Sequence, residues 1–181
     1  MSTTAIKPLR KGLQSAAELL VEGKTNAQIA RQLWVSTHTV DSHVSSIRIH
    51  VHADTGCSRA VLAHTLLTQR LVPPPALPPR WDPSFAPSPA ALVLIRAFAE
   101  HSSTTDIAQA LKITPGALRS RATNLKRAMR ADNRAHIVGL GHTLDVFTPA
   151  ARQPAPAAES VPVAPDPHLG RVPLHTLEGY L

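Results

Sequence analysis

Three groups of side chains in this sequence combine types and spacings that chemistry uses. In "STHTVDSH", residues 36–43, Ser36, Asp41 and His43 supply a hydroxyl, a carboxylate and an imidazole, the parts of an acyl-transfer triad. On a helix the three point in different directions and no oxyanion-hole loop accompanies them, so enzyme activity is not expected. A few residues on, His50 and His52 stand near Cys57 and raise a metal site. Residues two apart on a helix face away from each other and no second Cys/His pair stands at ligand spacing, so surface histidines are the better reading, with no metal and no cofactor. The third group, "RSRATNLKRAMR" at 119–130, is cationic, and no acidic residue occurs between Ile107 and Ala131. Cations and small hydroxyls on one helix face contact phosphates, and arginine forks grip guanine edges.

The bulk charge agrees with the third group. Formal net charge is +7 in 181 residues. Residues 1–72 and residues 89–148 each carry eight Lys/Arg against four Asp/Glu, so the excess sits on the segments that fold. A basic excess of this kind points first to nucleic acid. The single cysteine excludes an internal disulfide framework and fits a reducing compartment. With no apolar run of membrane-spanning length and no signal-peptide core, a cytoplasmic, nucleoid-associated protein is expected. The richness in Ala, Pro and Arg suggests a GC-rich, bacterial genome.

The elements that must position these residues are written twice. "KTNAQIARQLWVSTHTVDSHVSSIR" at 24–48 returns 78 positions later as "SSTTDIAQALKITPGALRSRATNLK", pairing Ile29 with Ile107, Ala30 with Ala108, Leu33 with Leu111 and Val40 with Leu118. In the first copy, periodicity predicts a helix from Leu9 or Gly12 to Val21, ended by Gly23. Thr25 and Gln28 form a capping box for a second helix, Ser36 caps a third over Thr37 to about Val51, and Ser58 caps a fourth from Arg59 to about Leu71. This is a helix-turn-helix unit whose third helix enters the major groove. The expected class is all-α, with two small four-helix domains at 1–72 and 89–148, a Pro-rich linker at 73–88 and a disordered Pro/Ala-rich tail at 149–181. Eight of the eighteen residues from Pro73 to Ala90 are proline, the composition of an extended spacer. At about 3.1 Å per residue such a spacer covers the roughly 34 Å between successive major-groove faces.

The motif "LLVEGKTNAQIARQLWVSTHTVDSH", with Leu9, Ile47, Arg59 and Ala60 around it, resembles the LuxR-type (LuxR/FixJ) helix-turn-helix DNA-binding domains over about residues 9–70. The resemblance implies a four-helix domain whose third helix reads DNA and whose fourth commonly pairs two domains, so a homodimer through the fourth helix of the first domain is expected. Asp41 stands where that family usually has lysine.

The second copy resembles a diverged member of the same family. Ser103 caps its second helix, Thr114 and Pro115 start its third, and Arg134, Ala135, Ile137 and Val138 match Arg59, Ala60, Leu62 and Ala63 after a loop shortened by three residues. Gly139 and Gly141 weaken its fourth helix by about 1 kcal/mol each, which puts pairing through that helix in doubt. With Leu118, Ala122, Leu125 and Met129 inward, the outer face of its third helix carries Arg119, Thr123, Lys126, Arg127 and Arg130, flanked by Ser120, with Arg121 toward the edge of the core stripe in a phosphate or packing role. Thr37, His38, Ser42, His43, Ser45 and Arg48 are the corresponding DNA-contacting candidates of the first copy, whose outer Ile49 suits a thymine methyl or a protein surface. Trp34 and Trp81 read as half-buried residues, Trp81 with Phe85 folding back on a domain or docking elsewhere. The closing "HTLEGYL" is a candidate peptide for a protein partner. The function expected is a sequence-specific, double-stranded DNA-binding transcriptional regulator. The alternatives are a protein-interaction adaptor contacting another regulator or RNA polymerase, and a non-specific architectural binder.

Overall fold

Polar caps start nearly every helix, and they sit where the sequence places them. The computed structural model of the protein describes residues 7–79 and 81–148; the expected tail and its "HTLEGYL" ending lie outside the described residues. Thr25 and Gln28 close a reciprocal capping box, and the hydroxyls of Ser36, Ser58, Ser103 and Thr114 accept from the backbone N–H three residues on. Each cap satisfies an otherwise orphan donor and fixes where its helix begins. The chain is all-α: the described residues contain α1 (Lys11–Val21), α2 (Asn26–Leu33), α3 (Thr37–His50), α4 (Arg59–Thr68), α5 (Pro89–Glu100), α6 (Thr104–Ala110), α7 (Pro115–Ala128) and α8 (Arg134–Thr143), and no strand. None of these helices is long and apolar enough to cross a membrane.

The repeat seen in the sequence is also a repeat of backbone. Displaced by 78 positions, α3 becomes α7; displaced by 75, α4 becomes α8. Left-handed residues recur at the same displacements, Trp34 with Lys112, His52 with Arg130, and Arg70 with Asp145, all with φ between 50° and 56°. Each turns the chain sharply enough for the next amide to reach back five residues: Val35 N donates to Ala30 O and Ile113 N to Ala108 O, while Leu71 N donates to Leu66 O and Val146 N to Gly141 O. That turn at Arg70 is why α4 stops at Thr68, short of the expected Leu71.

The two copies are packed together. α4 lies on α8 and α5, and α8 lies on α4 and α1, the reciprocal pattern of an isologous dimer interface made within one chain. Ala60 of α4 is buried in the core of the second copy around Phe98 and Leu140, and its counterpart Ala135 of α8 in the core of the first around Leu20 and Ile47. Hydrogen bonds repeat the exchange: Ser58 N donates to Ser102 Oγ at 3.0 Å, and Asn133 Nδ2 donates to Gly23 O.

Three expectations change here. The glycines of α8 do not spoil its pairing; they permit it. A Cβ on Gly139 would lie 2.8 Å from the carbonyl oxygen of Val21, and one on Gly141 would lie 2.8 Å from Ile95 Cγ2. The propensity cost of glycine is offset by the close approach of α1 and α5, which apolar burial rewards. Secondly, the face of α4 expected to make a homodimer is covered by α8 of the same chain. Thirdly, the proline-rich segment is no free spacer: Pro75 is buried, its carbonyl accepts from Thr143 Oγ1 at 2.7 Å, and Trp81 and Phe85 meet edge-on and pack against the second core. Residues 7–148 accordingly belong to one compact unit.

At this seam His64 Nδ1 and His142 Nε2 share a hydrogen bond of 3.0 Å, with Phe147 against both rings. Burial, and then the neighbouring His64, pulls the His142 imidazole down to about 4. Burial also lowers His64, opposed by Glu100.

Candidate nucleic-acid interface

Helix α7 is held by its apolar stripe and leaves its charge outside. Leu118, Leu125 and the Met129 cap are buried and Ala122 is half-buried, so the opposite side faces solvent by helical geometry. Arg119, Ser120, Arg121, Thr123, Lys126 and Arg127 are all exposed. Among the described residues no carboxylate forms a salt bridge with any of these cations; the one close contact of a carboxylate with a basic group is Asp132 with His136, at 3.7 Å, an ion pair only when the imidazole is protonated. Thr123 Oγ1 donates back to Arg119 O at 2.9 Å, which leaves its lone pairs outward. One cation, Arg130, departs from the expected face, while Arg121 keeps its expected place at the edge of the core stripe. Arg130 stands beyond the end of α7 in the left-handed region and lines a recess with Pro75, Pro78, Glu22 and Lys24. Arg121 borders an apolar groove of about 450 Å³ made with Phe85, Leu94 and Leu125.

The equivalent face of α3 is differently wired. Asp41, in register with Arg119, accepts from Asn26 Nδ2 at 2.5 Å. Asn26 Oδ1 in turn accepts from Arg59 Nη1, whose Nη2 donates to Lys24 O at 2.6 Å. This chain fastens α4 to α2 and α3. Burial, and then the Arg48 charge, lower the Arg59 guanidinium, and Asp41 opposes them. Arg134 repeats the reach in the second copy, donating to Thr104 Oγ1 and lying 5.1 Å above the Phe98 ring.

Two DNA-contact candidates of the first copy are turned into the domain. Arg48 donates from Nη2 to Cys57 O at 3.2 Å and its Nε is shielded from solvent. His43 is half-buried, its Nδ1 shielded and its Cε1 4.0 Å from the Cβ position of Gly12. Thr37, His38, Ser42 and Ser45 are exposed, and Ser42 Oγ donates to His38 O at 3.1 Å. With Ile49, which is 71% exposed, these leave α3 an outward surface of hydroxyls, one imidazole and one aliphatic group beside the exposed Asp41 carboxylate. The triad-like and metal-like groupings come apart in the same way. Ser36 caps α3, Asp41 belongs to Asn26, and His50 Nε2 bonds to Lys7 O at 2.6 Å.

That last bond brings in residues that sequence reasoning passed over. It holds the segment before α1 against the C-terminal half of α3, where Lys7, Arg10, Ser46 and Ile49 line one recess. No periodicity marks Lys7 or Arg10, since both precede the helix. Trp34, expected half-buried, is 93% exposed, because the left-handed turn between α2 and α3 swings its side chain outward while Val35 packs inward.

Residues 14–60 match the family model described as bacterial regulatory proteins, luxR family. The span runs from within α1 to the start of α4 and contains the α2–turn–α3 unit, so this segment is similar to the helix-turn-helix domains of that family of regulatory proteins. No curated protein and no solved structure matches the chain. The luxR-type match ends before the second copy, whose likeness to the first rests on the helix order, the caps and the left-handed turns described above.

Proposed function

We propose that this protein is a sequence-specific, double-stranded DNA-binding regulator of transcription, and that residues 89–148 are a second, diverged luxR-type module. In this reading α3 and α7 each enter a major groove, and the pairing of α4 with α8 does within one chain what a homodimer interface does between two. The observation that carries the reading is the outer face of α7. Three cations of that face, Arg119, Lys126 and Arg127, stand exposed, with Arg121 exposed at its edge and no acid on the helix, on the element that a helix-turn-helix presents to DNA. An exposed, unpaired cationic face costs self-repulsion unless a polyanion meets it. Thr37, His38, Ser42 and Ser45 are the contacts proposed for α3.

Affinity selection of sheared genomic DNA by the full-length protein at near-physiological salt tests this. A recurrent motif with two half-sites is the expected result. Uniform recovery with a steep salt dependence points instead to architectural binding. A second reading, an adaptor for another regulator or RNA polymerase, draws on the exposure of Trp34 and Ile49, both in the first copy. Retention of such a protein without any shift of DNA would favour it.

A further inference from the structure

We infer that the duplex recognised by this chain is non-palindromic, with a guanine-bearing half under α7 and a thymine-bearing half under α3, and that the protein binds it in one orientation only. The inference rests on the DNA-binding reading above and adds to it the chemistry of the site.

A homodimer presents two identical helices and therefore selects two identical half-sites. Here the two helices are covalently different and cannot be exchanged, because α4 and α8 are already paired inside the chain. Register by register the faces disagree. Asp41 is replaced by Arg119, and Ile49 by Arg127. On α7, Arg119 and Arg127 are exposed and free to place a guanidinium fork on the N7 and O6 of guanine. On α3 neither fork nor ammonium is free, since Arg48 is spent on Cys57 O and the Asp41 carboxylate holds Asn26. Besides the carboxylate held by Asn26, what faces outward there is the aliphatic Ile49, suited to the thymine methyl, the Ser42 hydroxyl, left to accept because its proton goes to His38 O, and the Ser45 hydroxyl, which accepts or donates to either purine.

The first half is not thereby without phosphate contacts. Lys7 and Arg10 lie beside Ile49, fixed by the His50 to Lys7 O bond, so charge comes from the arm while the helix reads. In the second copy the positions of Lys7 and Arg10 are taken by Phe85 and Ser88, and the charge is on the helix itself. The two halves divide the same two tasks, holding the backbone and reading the bases, between different elements.

The experiment starts from a site selected by the full chain out of random duplexes. Two palindromes are then built from it, one from each half, and the three duplexes are compared in the same salt. The expected result is that both palindromes bind about tenfold more weakly or worse, since each replaces a half with one whose bases mismatch the helix above it. Ile49→Arg should narrow the gap for the guanine-half palindrome. A palindrome that binds as tightly as the selected site, or a selected motif of one half only, overturns the inference while leaving DNA binding in place. Failure to select any motif removes the underlying reading instead.

Discussion

Helices α3 and α7 have equal lengths and hydroxyl N-caps, yet α3 carries the Asp41 carboxylate, held by Asn26, whereas α7 carries four cations and no acid. Both are bounded by the same left-handed turns, so the difference is confined to the outer side chains. It teaches that backbone and surface are constrained separately. Caps, the inward stripe and the reciprocal seam keep both copies in one fold, while outward residues such as Ile49 and Arg127 are free to diverge because they bear on no core contact. The seam itself shows the same separation: His64 of the first copy corresponds to Gly139 of the second, and both fit because each faces a different neighbour.

The sharpest way to break the comparison is charge removal. Arg119→Ala with Arg127→Ala is expected to weaken DNA binding about a hundredfold and lower the salt slope by about two, while Ser42→Ala with Ser45→Ala costs less than about tenfold and leaves the slope unchanged. Mobility-shift titrations at several salt concentrations read both numbers. Equal losses would mean that the helices do not differ in the way their faces suggest.

Next in size is the seam. Gly139→Leu drives a side chain into the Val21 carbonyl and Pro75, and about 3 kcal/mol of stability should go with it, seen as a lowered thermal midpoint. Gly56→Ala, with open space around its Cβ position, serves as the matched control and should change little.

The smallest effect expected is that of acid. His64 and His142 both have pKa values lowered by folding, so protonation favours the unfolded chain. Their contribution is complete above the ordinary histidine pKa of about 6.5 and declines as pH falls toward the value of about 4 held by His142. Allowing for screening of these half-exposed rings, about 1 kcal/mol should be lost between pH 6.5 and pH 4.5. His136, lowered by burial with Asp132 opposing, adds to the slope with the same sign. Melting curves across this range for the native chain and for His64→Gln with His142→Gln separate the seam pair from the rest. A double variant with an undiminished slope would assign the effect elsewhere.

Much of this molecule was legible before any coordinates. The capping residues, the apolar stripes of α3 and α7 and the repeat at 78 positions lie within a few residues of what they control, and local hydrogen bonding and helical periodicity suffice to read them. The exposed cations of α7 follow from the same periodicity. The fate of Arg48 and His43 was not legible, because what occupies them is a carbonyl nine residues away and a helix brought close by folding. Lys7 and Arg10 became interface candidates through a bond spanning 43 residues, which leaves no trace in composition or period.

By itself, then, the sequence determined two copies of one helical pattern, where the hydroxyl-capped helices start, and which helix carries exposed positive charge, all consequences of short-range geometry. Only the tertiary structure decided that the copies close on each other, that Gly139 and Gly141 are contact points in place of weak points, and that Asp41 answers to Asn26 and Arg59. Those outcomes depend on which surfaces meet at van der Waals distance across the chain, and close packing is decided by the sum of such meetings.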